Sequence, residues 1–290
     1  MARDFFNSME QMLKERLLLL EGCFEADVVF YYGEIHPALE RLFRDVIEML
    51  KEGQEPKNRL ALLLNTPGGM VETAEKIVKI IRRHYDEVYI IVPDFAMSAG
   101  TILCMSADKI FMDYSSSLGP IDPQIIKGET YVPAQGYLDQ YQKMLDKSGR
   151  GELTPAEYFV LQQTDLGMLA RFEQAKELSI QLLKEWLVQY KFKNWAIHRT
   201  DPQKRGQAVS QAEKEQRADE IAKKLAQHEN WHSHARMIGI DTLTKDLRLE
   251  IEDYSQPPER RKLVRSYNDL LTEFIRRENL DTFLHSKKFF

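Results

Sequence analysis

The sequence predicts an α/β protein, a parallel sheet in the first half followed by a helical extension. Two observations carry that reading. Up to about residue 133, short apolar, β-branched runs alternate with segments of helical periodicity, and beyond it apolar residues recur mostly at helical spacing. The expected organisation is an α/β core at residues 1–150 and a helical extension at 151–290, with a possible short return strand at 247–251.

The elements justify themselves in order. Phe5 to Leu20 has helical periodicity, Asp27 to Tyr32 (DVVFYY) reads as a strand, and Pro37 to Leu50 reads as an amphipathic helix. Arg59 to Asn65 (RLALLLN) is an apolar run of strand length, stopped by Thr66-Pro67-Gly68-Gly69. Met70 to Arg83 then carries Val71, Ala74, Ile77, Val78 and Ile81 at helical spacing. The pattern repeats with strand Glu87 to Pro93, a loop through Ser98 to Gly100, helix Thr101 to Ala107 and strand Lys109 to Asp113. Strand–helix–strand units imply right-handed crossovers, and the loops at the carboxyl ends of such strands form the reactive edge. Gly68, Gly69 and Ser98 all fall on loops of that kind. Ser115 to Gln124 is irregular, because Gly119, Pro120 and Pro123 forbid continuous helix.

In the second half, Gln135 to Asp146 is a helix candidate. Thr154-Pro155-Ala156-Glu157 matches a capping box with proline at the first helical position, opening a helix expected to run to about Tyr190. The polar segment Arg199 to Gly206 precedes a highly charged helix, Gln211 to Gln227, which reads as a mobile arm. Residues 255–262 read as a linker, and the helix Leu263 to Arg277 as one that docks against a neighbouring subunit.

Composition narrows the classes. The 290 residues hold 40 Lys and Arg against 45 Asp and Glu, a formal charge of −5 with both signs scattered, so there is no electrostatic footprint for nucleic acid. No apolar run reaches the roughly 18 residues a membrane span requires, and the expected location is cytoplasmic. Cys23 and Cys104, each in or beside an apolar segment, read as two buried thiols in a reducing compartment rather than a disulfide. His232 and His234, spaced i, i+2, fall on different sides of a helix with no third ligand in view, so neither a metal nor a cofactor is expected.

Acyl transfer needs a rigid nucleophile and backbone N–H groups aimed at the developing oxyanion. Gly68 and Gly69 let the backbone approach a ligand closely, and the helix opening at Met70 adds its positive end. Ser98, flanked by Ala99 and Gly100, stands at the start of the next helix. Taken singly, Pro-Gly-Gly is an ordinary turn and the serine an ordinary N-cap; their order along one sheet edge makes the pair specific.

With these residues in hand, Asn65-Thr66-Pro67-Gly68-Gly69, then Ala96-Met97-Ser98-Ala99-Gly100-Thr101, then Leu118-Gly119-Pro120-Ile121-Asp122-Pro123-Gln124, the sequence resembles the serine dehydrogenase proteinase family of the Clp-protease and crotonase-like superfamily, related to signal peptide peptidase A. The resemblance implies stacked ββα units and a closed homo-oligomer. It implies a serine peptidase acting on peptides or unfolded protein through an acyl-enzyme, with Ser98 as nucleophile and Gly68, Gly69 and Met70 forming the oxyanion hole. It implies no nicotinamide chemistry. The general base is not visible: no histidine occurs between His84 and His198, and the candidates are Asp122, Lys143, His232, His234 or a group from a neighbouring subunit. Two other readings stay open, a crotonase-like acyl-CoA enzyme and a catalytically silent oligomeric scaffold. An unfoldase or regulatory partner is a further open point.

Overall fold

The computed structural model describes residues 2–289 except 53–56, 122–123, 128–129, 199–202, 228–230, 232 and 234–235. Its centre is a sheet built from β1 (Asp27–Tyr32), β2 (Arg59–Asn65), β3 (Glu87–Ile91), β5 (Lys109–Met112), β9 (Glu252–Asp253) and β10 (Phe283–Ser286), in the order β10-β1-β2-β3-β5-β9. All neighbours are parallel except β10, which runs antiparallel to β1. Parallel strands buried on both faces read as unbroken apolar runs, which is why RLALLLN and EVYII lack alternation.

The pleat separates two cores. Val29, Leu62, Ile90 and Ile110 stand in one row across the sheet and point into the larger core. That core is covered by α2 (Leu39–Lys51), α3 (Val71–His84), α4 (Ala99–Cys104), α7 (Leu166–Trp186) and α8 (Gln211–Ala226). Phe30, Leu63, Ile91 and Phe111, one residue further along each strand, point to the other face, under α1 (Ala2–Phe24) and α10 (Pro258–Glu278). The fold class is therefore the expected α/β arrangement, in three layers.

A second, smaller sheet runs along the carboxyl edge of the first. Ile35 bridges Gly69, Thr66 bridges Ala96, β4 (Phe95–Ala96) pairs with β6 (Ser117–Leu118), and Leu118 bridges Ile238. Beyond it lie a hairpin of β7 (Gln124–Lys127) and β8 (Thr130–Pro133), then α5 (Ala134–Gly149) and α6 (Pro155–Gln162).

Several expectations are corrected here. Residues 154–190 form two helices and a closing π turn at Leu187–Lys191, because Asp165 starts a new helix by accepting the Met168 N–H. The charged helix α8 is packed rather than mobile: Ala218, Ile221, Ala222, Leu225 and Ala226 bury one face while the charges line the other. The return strand lies at 252–253, not 247–251, and β10 adds a strand that the sequence did not suggest. Both edges of the sheet thus come from beyond residue 250, across the boundary placed at 150. The last helix starts at Pro258, inside the expected linker, and buries Val264, Tyr267, Leu271 and Ile275 in its own chain rather than holding them for a neighbour. A short helix, α9 (Ile240–Lys245), precedes the return to the sheet.

Candidate functional site

The site lies where β2 and β4 end. Ser98 occupies the turn from β4 into α4 with φ 52° and ψ −118°, a conformation that L residues adopt at a cost of about 1–3 kcal/mol. Its neighbours hold it there. Met97 donates its N–H to Thr66 O at 2.9 Å, Gly100 to Met97 O at 2.8 Å, and Ile102 to Ser98 O at 3.2 Å. The Ser98 side chain is half-buried and makes no capping bond to the helix it precedes, so its hydroxyl is left for another partner.

The glycine loop presses directly on this turn. Gly68 (φ 108°) and Gly69 (φ 140°) both have the left-handed backbone that glycine alone adopts cheaply. A Cβ at Gly68 would lie 2.8 Å from both Met97 O and Ser98 Cβ, and 3.4 Å from Ala99 N. A Cβ at Gly69 would lie 2.3 Å from Ile35 O. The sequence proximity of Gly68-Gly69 to β2 and of Ser98 to β3 becomes van der Waals contact because β2 and β3 are neighbours in the sheet.

The backbone donors divide clearly. Met70, read as part of an oxyanion hole, gives its N–H to Ile35 O at 2.9 Å, and Gly68 gives its own to the Thr66 hydroxyl at 3.1 Å. The N–H groups of Gly69, Ser98 and Ala99 have no acceptor among the described residues. Met70 is also the N-cap residue of α3 and supplies no side-chain cap, so the positive end of that 14-residue helix is open beside the loop.

Thr101 closes the floor. Its buried hydroxyl lies 2.8 Å from both Ala96 O and Gly119 O and accepts the Gly119 N–H at 2.9 Å, pinning the Leu118-Gly119 strand under the nucleophile turn. The extension reaches the same place: Leu118 and Ile238 exchange backbone bonds of 3.0 and 2.8 Å, and Ile121 donates to Leu225 O at 3.1 Å.

Of the base candidates read from the sequence, Lys143 alone lies among the described residues. Lys143 is exposed on α5, which packs on β8, α6 and α7. Asp122, His232 and His234 lie outside the described residues. The structure adds His36, exposed and one residue past the bridge to Gly69, with Nδ1 accepting the Ala38 N–H at 3.3 Å. It stands far ahead of Ser98 in the chain, and nothing in the sequence linked the two. Among the described residues no group of three His, Cys, Asp or Glu side chains is placed to hold a metal, and no helix is long and apolar enough to cross a membrane.

A serine on a strained strand-to-helix turn, backed by a paired-glycine loop, is the arrangement of a serine hydrolase built on Clp-like ββα units. Residues 40–203 match the family of ClpP-like SDH-type serine proteinases, and the chain belongs to that family. The resemblance drawn from the motifs is thereby upheld. Two uncharacterized proteins of Methanocaldococcus jannaschii are similar: MJ0137 is 46% identical over 71 residues, and MJ1495 is 33% identical over 124 residues. These matches cover 24% and 43% of this chain, and the chain spans 25% and 38% of the two relatives' lengths. Among solved structures, a mutant of the 1510-N membrane-bound stomatin-specific protease superposes with TM-score 0.46 at 15% identity, covering 85% of this chain and 82% of that one. ClpP1 from Listeria monocytogenes gives TM-score 0.29 at 18% identity, covering 51% and 85%.

Proposed function

We propose that the protein is a serine peptidase that cleaves peptides or unfolded protein through an acyl-enzyme on Ser98. The carrying observation is the contact between the Ser98 turn and the Gly68-Gly69 loop, with unpaired N–H groups on both sides of it. Ser98 Oγ attacks the scissile carbonyl, the Gly69 and Ala99 N–H groups receive the oxyanion, the amine leaves with a proton, and water hydrolyses the ester. Met70 orders the loop through its bond to Ile35 rather than donating to substrate.

The base is drawn from Asp122, Lys143 and His36. A lysine base must be desolvated to be neutral, and Lys143 is exposed in the single chain. A second copy supplies that cover: α5, α6 and the start of α7 display Leu145, Tyr158, Phe159, Val160 and Leu166, and α6 buries none of its residues within the chain. The functional form in this reading is a homo-oligomer in the cytoplasm, where the unpaired thiols, Cys104 buried as expected and Cys23 exposed against expectation on the solvent-facing side of α1, stay reduced.

The test is a fluorophosphonate probe followed by peptide mapping. Labelling at Ser98, lost in Ser98→Ala, is the expected result, and undiminished labelling elsewhere in that variant removes Ser98 from the mechanism. Rates for Asp122→Asn, Lys143→Met and His36→Gln locate the base, since its loss lowers labelling by about 10²–10⁴-fold.

A further inference from the structure

The nucleophile turn is tied to a helix that lies beyond the residues shared with the family. Asn65, the last residue of β2, is buried, and its Oδ1 accepts the N–H groups of Asp94 (3.1 Å) and Phe95 (3.4 Å). Its Nδ2 donates to Asn268 Oδ1 at 2.7 Å, and Asn268 Nδ2 donates to Asp94 Oδ2 at 2.8 Å. The ring closes on itself: both amides and one carboxylate oxygen are satisfied, and each residue holds the other two. Asn268 is 3% exposed in the middle of α10, in a helix whose apolar face is fixed under the sheet against α1. It is therefore a rigid post.

The loop it holds leads straight into Ser98. Val92 O accepts the Ser116 hydroxyl at 2.6 Å, Pro93 O the Tyr254 hydroxyl at 3.3 Å and Asp94 O the Ser117 N–H at 2.9 Å, so the backbone carbonyls of residues 92–94 are occupied. Ser116 is in turn set by Asp113, whose carboxylate is gripped by Arg265 of the same α10. A left-handed serine persists where the surroundings over-determine it. In this molecule the surroundings include a side chain from the far end of the chain.

We propose that Asn268 is a positioning residue for the peptidase site, holding the Asp94-to-Ser98 loop so that the serine hydroxyl faces the glycine loop. It touches no substrate and acts through Asn65 and Asp94. The inference rests on Ser98 being the nucleophile.

The experiment measures two quantities on the full chain: the rate of fluorophosphonate labelling at Ser98, and hydrogen exchange of the amides at 94–100. Asn268→Ala is expected to slow labelling by about 10–10²-fold, the scale of small misplacements near a nucleophile, and to speed exchange in that loop. Asp94→Ala, a change at an exposed residue that leaves the core intact, is expected to do the same. Ile275→Ala, two turns along α10, loosens the helix without touching the ring and should label at the parental rate.

The sharpest arm is an exchange of chemistry. Asn268→Asp alone sets two carboxylates face to face and should label slowly. Combined with Asp94→Asn, both hydrogen bonds return with one reversed in direction, and the rate should recover. The proposal is overturned if the exchanged pair labels no faster than Asn268→Asp, if Asp94→Ala labels at the parental rate, or if Ile275→Ala is as slow as Asn268→Ala. If the parent is not labelled at Ser98, the peptidase reading fails; the positioning claim is then judged by exchange at 94–100, and parental exchange in Asp94→Ala sinks it.

Discussion

The turn that carries Ser98 and the arm formed by α5 and α6 are opposite solutions to the problem of ordering a connection. Around Ser98, backbone groups are bonded to Asn65 of β2 and to the strand at 117–118, the Asp94 carboxylate accepts from Asn268 of α10, and the glycines on one side are so close that no Cβ fits. Along the arm, α6 is closed by a capping box between Thr154 and Glu157 yet leaves Tyr158, Phe159 and Val160 half or more exposed. The first region is completed inside one chain. The second is locally well formed but leaves apolar side chains uncovered, and in the proposed homo-oligomer a second copy covers them.

The comparison breaks most visibly at Gly69. Gly69→Val forces a Cβ towards Ile35 O and turns away an oxyanion donor, so turnover should fall by about 10²–10³-fold in protein matched to the parent in melting temperature and oligomer size. Unchanged turnover in such material moves the oxyanion site elsewhere. Next comes Thr101→Val, which keeps the shape but strands the Gly119 N–H in a buried place. A loss of about 1–3 kcal/mol by calorimetry is expected, with slower labelling at Ser98.

A third measurement concerns the packed face under α10. Burial pushes the His285 imidazole down to about 4, while an unfolded histidine titrates near 6.5. The native state therefore binds the proton less readily than the unfolded chain. The stability involved is fully present above about pH 6.5 and is lost as pH falls towards 4, at up to about 1.4 kcal/mol per pH unit. His285→Gln should flatten that part of the stability profile, and an unaltered slope would show that His285 does not cause it.

The smallest effect on the single chain belongs to the arm. Phe159→Glu with Leu166→Glu should convert an oligomer to the 33.9 kDa monomer by light scattering, while changing monomer stability by no more than about 0.5 kcal/mol. If the unsubstituted protein is monomeric across micromolar concentrations, the arm is finished as it stands and the contrast with the Ser98 turn disappears.

The sequence by itself determined the elements whose signals are local. Arg59 to Asn65 had to be a buried strand because the five residues Leu60 to Leu64 are apolar without a break and offer no polar face, and Pro-Gly-Gly had to end it. The pairing of the glycine loop with Ser98 was legible too, because parallel strands joined by a helix bring their carboxyl ends to one edge. Tertiary structure decided the rest. β9 is two residues long and carries no periodicity, so only its seat against β5 makes it a strand. Met70 lost its expected role to Ile35, a residue whose own segment has no motif. Asn65 and Asn268 are ordinary amides until folding sets them 2.7 Å apart from positions 203 residues distant, and no local pattern encodes a hydrogen bond that depends on how a terminal helix docks.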